Sequence, residues 1–245
     1  MDWYGARVTD TPTDANTVDA LLLSVEGWIV DGEVDRAREA LRSLRSRGVE
    51  DPEIDYLDGV ACWREGEDEA AQVHFEAAIQ LDPEHSDAHH GLFMLFEALD
   101  AHEDSVRCGL EVLRLDALHD RVDSAEFESR AQSIRAIASA VLARLPEQFA
   151  VRLDNVPVVL EARPSTDLVA QGFDPRALGL FEGPEDSARH DPGPIPSRIV
   201  LFTHNLIAEF PEMDELESQV EITLLHEIGH YFGLDEDGVA ALGLA

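Results

Sequence analysis

Two histidines four residues apart with a glutamate beside the first, His226-Glu227-Ile228-Gly229-His230, stand out as residues able to do chemistry. On a helix, residues four apart differ by about 40° around the axis, so the two imidazoles share one face a turn apart. That spacing lets two neutral ring nitrogens hold one zinc ion, with Glu227 placed to reach a water on the metal. Tetrahedral catalytic zinc takes a third protein ligand and keeps its fourth position open. The next acids are Asp235, Glu236 and Asp237, just beyond Gly233. Were the helix to continue, Glu236 would lie about 240° around from His230 and about 9 Å further along, out of reach. A glycine at 233 permits the left-handed turn that ends a helix and throws the chain back. The acidic cluster then supplies the third ligand, or it starts a short final helix with Asp235 as cap. Different residues of the cluster can do both.

Several elements must position this pentapeptide. The helix carrying it opens at Phe210–Asp214, where Asp214 and Glu217 have the spacing of a capping box. Leu224, Leu225, Ile228 and Phe232 fall on the side away from the histidines, whereas Glu215, Gln219 and Thr223 share or flank the histidine side. The helix therefore buries its back and turns a polar stripe toward a cleft. Upstream, residues 123–145 have the pattern of an amphipathic helix, with Phe127, Ile134, Ile137, Val141 and Leu145 along one side and Pro146 as its stop. The period then changes. Val156–Glu161, Gly179–Gly183 and Arg198–Phe202 are strand candidates, the last two separated by a Pro/Gly/Asp loop over 183–197. The Arg198–Phe202 strand is the expected partner for an extended peptide. His204 and Tyr231 are candidates to assist an oxyanion, although packing suits both.

With these pieces in view, HEIGHYFGLDE resembles the extended zincin signature, His-Glu-x-x-His-x-x-Gly-x-x-ligand. Residues from about 124 to 245 resemble the minimal zincin-like metallopeptidases, a small bacterial family, through VPVVLEARP, ALGLFEG, DPGPIPSRIVLF and the short acidic tail after the motif. The resemblance implies a compact α+β domain, proteolytic activity, Zn2+ as cofactor, His226 and His230 as metal ligands, and Glu227 as catalytic base. It places the acidic third ligand on Glu236, with Asp235 as the alternative. The Met-containing turn of larger metzincins has no counterpart, so no transition-state stabiliser is assigned.

The first half reads differently. After a polar stretch over residues 1–15, residues 16–120 carry helical apolar spacing broken by short Gly- or Pro-containing turns. Between Pro52 and His85, Gly59, Ala71, Phe75, Ala78 and Pro83 take the small, aromatic and stop positions of a helical hairpin. This unit resembles a tetratricopeptide repeat. Trp28, Gly32, Ala37, Leu41 and Leu44 make a weaker copy before it, and a third copy over Ser86–Leu118 decays, with Ser105 and Gly109 where Ala and Phe are expected. Such arrays hold peptides or proteins in a groove, so a protein partner or substrate is implied by the resemblance. His85, His89 and His90 at a repeat boundary read as exposed surface histidines.

The expected fold is thus α+β overall: a tail over 1–15, an all-α tetratricopeptide-like array over 16–120, and a small α+β minimal zincin domain over 123–245. The alternative is a helical-repeat scaffold protein with a structural or vestigial zinc site. Charge narrows the partners. With 51 acidic and 18 basic residues, all of the latter arginine, the net charge is −33. Such a surface repels nucleic acid and anionic lipid, leaving an acidic solvated coat or a field that selects basic substrates. The amino end has neither a basic start nor an apolar stretch, and no apolar run spans a bilayer, so a cytoplasmic location is expected. Cys62 and Cys108 read as buried reduced thiols.

Overall fold

Residues spaced for helices, interrupted at regular intervals by left-handed turns, shape the amino-terminal half. The computed structural model describes residues 15–120, 124–184, 197–235 and 238. The chain is α+β and divides into two compact units, Met1–Val112 and Leu113–Ala245. The first contains α1 (Ala15–Val30), α2 (Val34–Ser46), α3 (Pro52–Arg64), α4 (Asp68–Leu81), α5 (Ser86–Ala98) and most of α6 (His102–His119), whose last turns count with the second. Gly32, Gly66 and Asp100, spaced 34 residues apart, end the first helix of each successive hairpin with positive φ. The 34-residue period is therefore written in the backbone as well as the sequence.

Phe75 explains the tightest packing in this unit. A Cβ on Gly59 would lie 2.6 Å from its ring, and one on Gly91 would lie 2.7 Å away. The ring is held between α3 and α5, and only residues without a side chain fit there. Leu22, Val25, Ile29, Ala37, Leu41 and Leu44 build the core of the first hairpin. Cys62 and Cys108 are free and buried, as expected.

His85 departs from the surface role expected of it. It is buried, its Nδ1 accepts the Ala88 N–H at 3.2 Å to cap α5, and its Nε2 lies 3.3 Å from Glu53. Burial lowers its pKa, but hydrogen bonding to and the charge of Glu53 outweigh this, and the net shift is upward. The helix start, lacking a Ser, Thr or Asp at that position, uses an imidazole acceptor instead.

The second unit adds α7 (Ser124–Arg144), α8 (Glu147–Leu153), β1 (Val158–Glu161), α9 (Thr166–Val169), β2 (Gly179–Glu182), β3 (Arg198–Phe202), α10 (Thr203–Glu209) and α11 (Met213–Tyr231). The sheet order is β1-β3-β2, with β1 parallel and β2 antiparallel to β3. Arg198-Ile199-Val200-Leu201-Phe202 is the central strand, paired on both sides, which its unbroken apolar run suits. It has no edge to offer a peptide, so the expectation that this strand receives substrate is corrected: among the described residues β2 is an edge strand. α11 lies against β2 and β3, and α7 packs on α11. Ile134, Val141, Ile199, Leu201, Leu216, Val220 and Leu224 form the shared core. Among the described residues no helix is long and apolar enough to cross a membrane.

Candidate metal and catalytic site

The carboxyl end of α11 has a specific stop. Gly233 has φ +82, its N–H reaches the His230 carbonyl at 2.9 Å, and the Leu234 N–H reaches the Gly229 carbonyl at 3.1 Å. These are the paired bonds of a Schellman turn, which needs a left-handed residue at this point. The turn brings the Leu234 carbonyl to 3.0 Å from His230 Nδ1. A carbonyl oxygen only accepts, so Nδ1 carries the proton and Nε2 keeps its lone pair. Such outer hydrogen bonds orient metal-binding imidazoles. Gly233 thus supplies a support for His230 in addition to redirecting the chain.

His226 and His230 meet edge to face, their Nε2 atoms 2.9 Å apart. Two nitrogens each about 2.0–2.1 Å from one tetrahedral zinc stand about 3.3 Å apart, so a few tenths of an ångström of opening would admit the ion. The donor pair fits zinc. The acidic third donor is less fully described. Asp235 is exposed, and its Oδ1 accepts the Gly238 N–H at 2.9 Å, the capping role foreseen for it. Glu236 lies outside the described residues. Among the described residues no three His, Cys, Asp or Glu side chains converge on one point.

Glu227 faces inward and is only 7% exposed. Its carboxylate lies against the start of β2: a Cβ on Gly179 would fall 3.1 Å from Glu227 Oε1, 3.1 Å from its Cγ, and 2.7 Å from Thr223 Cγ2. Together α11 and the β2 segment enclose a cleft of about 560 Å³. His226, Glu227, His230, Thr223, Gln219 and Ile222 line it from α11; Phe173, Ala177, Leu178, Gly179, Leu180 and Phe181 line it from the other side. Glu215, further along the same stripe, borders a second hollow with Glu209 and Asp214, and Gln219 lines both this hollow and the cleft. The capping box is also absent: Glu212 caps α11 without a side-chain bond, and Asp214 sits in the first turn, where the helix dipole favours an acid.

The wall opposite α11 is fastened from beneath. Asn205 Nδ2 donates to the Pro175 carbonyl at 3.0 Å and the Ala177 carbonyl at 2.7 Å, while its Oδ1 accepts from Arg163 at 2.5 Å. Arg163 makes a two-pronged pair with Asp120 at 2.9 and 2.5 Å, and Arg176 does the same with Asp116 at 2.9 and 3.0 Å. These groups are mostly withdrawn from water, where paired charges must be satisfied to be tolerated. They fix the segment entering β2. Phe202 N donates to the Leu178 carbonyl at 2.9 Å, so antiparallel alternation turns the N–H and C=O of Gly179 and Phe181 away from β3, to the edge that no described strand pairs.

Neither oxyanion candidate reaches the cleft. The Tyr231 hydroxyl donates to the Arg152 carbonyl at 2.9 Å within the core. His204 packs on Phe127, with ring centroids 4.1 Å apart, and burial lowers its pKa. Both have packing roles. Gly179, Asn205, Arg163 and Ile222 were not legible as site residues. Gly179 and Arg163 had a signal, through the ALGLFEG and VPVVLEARP segments; Asn205 and Ile222 had none.

Residues 153–244 match the family described as zincin-like metallopeptidase. No curated protein matches the chain. The match runs from the end of α8 through the acidic tail, so this part of the chain is similar to zincin-like metallopeptidases.

Proposed function

We propose that the chain is a zinc-dependent metalloendopeptidase, hydrolysing peptide bonds of a peptide or protein substrate, with the helical hairpins as a tetratricopeptide-like array that binds partner or substrate. The reading rests on one observation above others: His226 and His230 converge at the cleft with Nε2 atoms 2.9 Å apart, and the Leu234 carbonyl holds the His230 tautomer that presents a lone pair. His226, His230 and Glu236 are assigned as zinc ligands. Capping by Asp235 supports Glu236 over its neighbour. Because Asp116 and Asp120 pair with Arg163 and Arg176, the catalytic unit takes in the end of α6 together with residues 123–245.

Zinc held here would supply Lewis acidity, polarising a carbonyl and acidifying water. The chain's own groups do the rest. The outward N–H and C=O of Gly179 and Phe181 align an extended peptide along the β2 edge by main-chain hydrogen bonds. Glu227, buried beside the first histidine, takes a proton from the attacking water on its carboxylate and returns it to the amide nitrogen as the C–N bond breaks. The Gly179 wall limits where that carboxylate can sit.

Zinc analysis followed by peptide digestion, with and without chelator, tests the reading. Glu227→Gln should keep zinc and lose on the order of 10²–10⁴-fold in turnover. Equal cleavage by this variant would refute the mechanism, and zinc without turnover on any amide would favour a repeat scaffold with a structural site.

A further inference from the structure

For a protein of net charge −33, the cleft is lined in an unexpected way. Glu227 is the only carboxylate among its described lining residues, and there is no arginine. Most of the remaining lining is apolar. The direction of β2 locates this apolar surface. Gly179 faces Thr223 and Glu227, and Phe181 meets Tyr231 with ring centroids 5.7 Å apart, so β2 runs alongside α11 in the same sense. The residues just before β2 therefore lie toward the amino end of α11. There Phe173, Ala177 and Leu178 share the cleft with Ile222, one turn ahead of His226. Phe173 is backed by Phe202, with centroids 6.2 Å apart, and Ala177 is held through its carbonyl by Asn205. The surface is thus built on fixed supports.

We infer that Phe173, Ala177, Leu178 and Ile222 form a subsite for a bulky aliphatic or aromatic side chain beside the scissile bond, making the substrates peptides with an apolar residue at one flanking position. The inference rests on the peptidase reading above. Its physical basis is transfer of an apolar side chain from water into a cleft wall that offers no charge partner. A charged side chain there would lose hydration without compensation. The surface charge of the protein consequently does not set the preference at this position.

The experiment digests a mixed peptide library with the zinc-reconstituted full chain and reads the residues on each side of every cut. One flanking position should favour Leu, Ile, Met or Phe over Asp, Glu, Lys and Arg by on the order of 10-fold or more. Ile222→Glu should erase that preference while zinc content stays as in the parent. A Lys/Arg preference, or cleavage indifferent to flanking residues, overturns the subsite and leaves the peptidase reading standing. Should the parent cut nothing, the peptidase reading fails by itself, and amide shifts decide the subsite. Titration with N-acetyl-Gly-Leu-Gly-amide should then move the Gly179, Ile222 and Thr223 signals, and the Asp-containing analogue should not. Equal shifts with both peptides, or none with either, refute the subsite.

Discussion

Gly179→Ala is the sharpest probe of how β2 and Glu227 depend on each other. The added methyl would stand 2.7 Å from Thr223 Cγ2 and 3.1 Å from both Cγ and Oε1 of Glu227. Carbon atoms prefer about 3.5–4.0 Å, so Thr223 must retreat by about 1 Å and Glu227 by about half that. Thr223 is buried and its helix is packed on two strands, so little of this can be absorbed without moving the carboxylate. Overpacking of this size costs about 1–3 kcal/mol, which for a unit of this length lowers Tm by several degrees. A misplacement approaching 1 Å costs up to about 10²-fold in rate. The expected variant binds zinc with parental stoichiometry, melts earlier, and loses about 10- to 100-fold in kcat with a smaller change in KM. Thr223→Ser deletes the closest contact, Cγ2, and in the double variant should restore part of both losses. Parental kcat and Tm in Gly179→Ala would show that the β2 wall does not control Glu227. A double variant no better than the single would show that the clash lies elsewhere.

Three further outcomes follow from the same geometry. Glu236→Ala should abolish stoichiometric zinc by metal analysis while Asp235→Ala retains it; the reverse pattern would transfer the ligand role to Asp235. Asn205→Ala removes two donors from the Pro175 and Ala177 carbonyls, which at about 1–3 kcal/mol for unsatisfied buried groups should speed amide exchange over 177–181 and raise KM more than it lowers kcat. Unchanged exchange there would rule out the clamp. Protonation of His85 strengthens its pairing with Glu53 but turns Nδ1 into a donor and gives up the Ala88 cap. The net shift is upward, so the support is present below the ordinary histidine pKa of about 6.5 and is lost as pH climbs through the raised folded-state value. Thermal melts from pH 6 to 8.5 should therefore show falling stability of this unit with rising pH, and His85→Ala should flatten the slope. Identical slopes would remove His85 from the account.

The sequence alone was informative wherever structure depends on neighbours a few residues away. The placement of His226, Glu227 and His230 on one helix follows from a 3.6-residue period, and Gly233 announces its own left-handed turn. The hairpins repeat because Gly32 and Gly66 recur at a 34-residue spacing, with Asp100 adopting the same conformation at the next step. All three strands were found within a residue or two, since β-branched and apolar runs mark them. Capping was less legible: an imidazole on α5 and a backbone-only start on α11 replace the side chains that propensity favours.

Tertiary structure alone decided which strand is an edge. Arg198–Phe202 and Gly179–Glu182 are both short and apolar, and only the pairing order β1-β3-β2 shows that the first is enclosed and the second lines the cleft. The same holds for the approach of Gly179 to Glu227, 48 positions apart, and for the Asp120–Arg163–Asn205 chain that holds the cleft wall. Helical periodicity reports the face a residue occupies, but not what meets that face. Contacts between distant segments are set by how whole elements pack, so they leave no repeating signature in the chain that forms them.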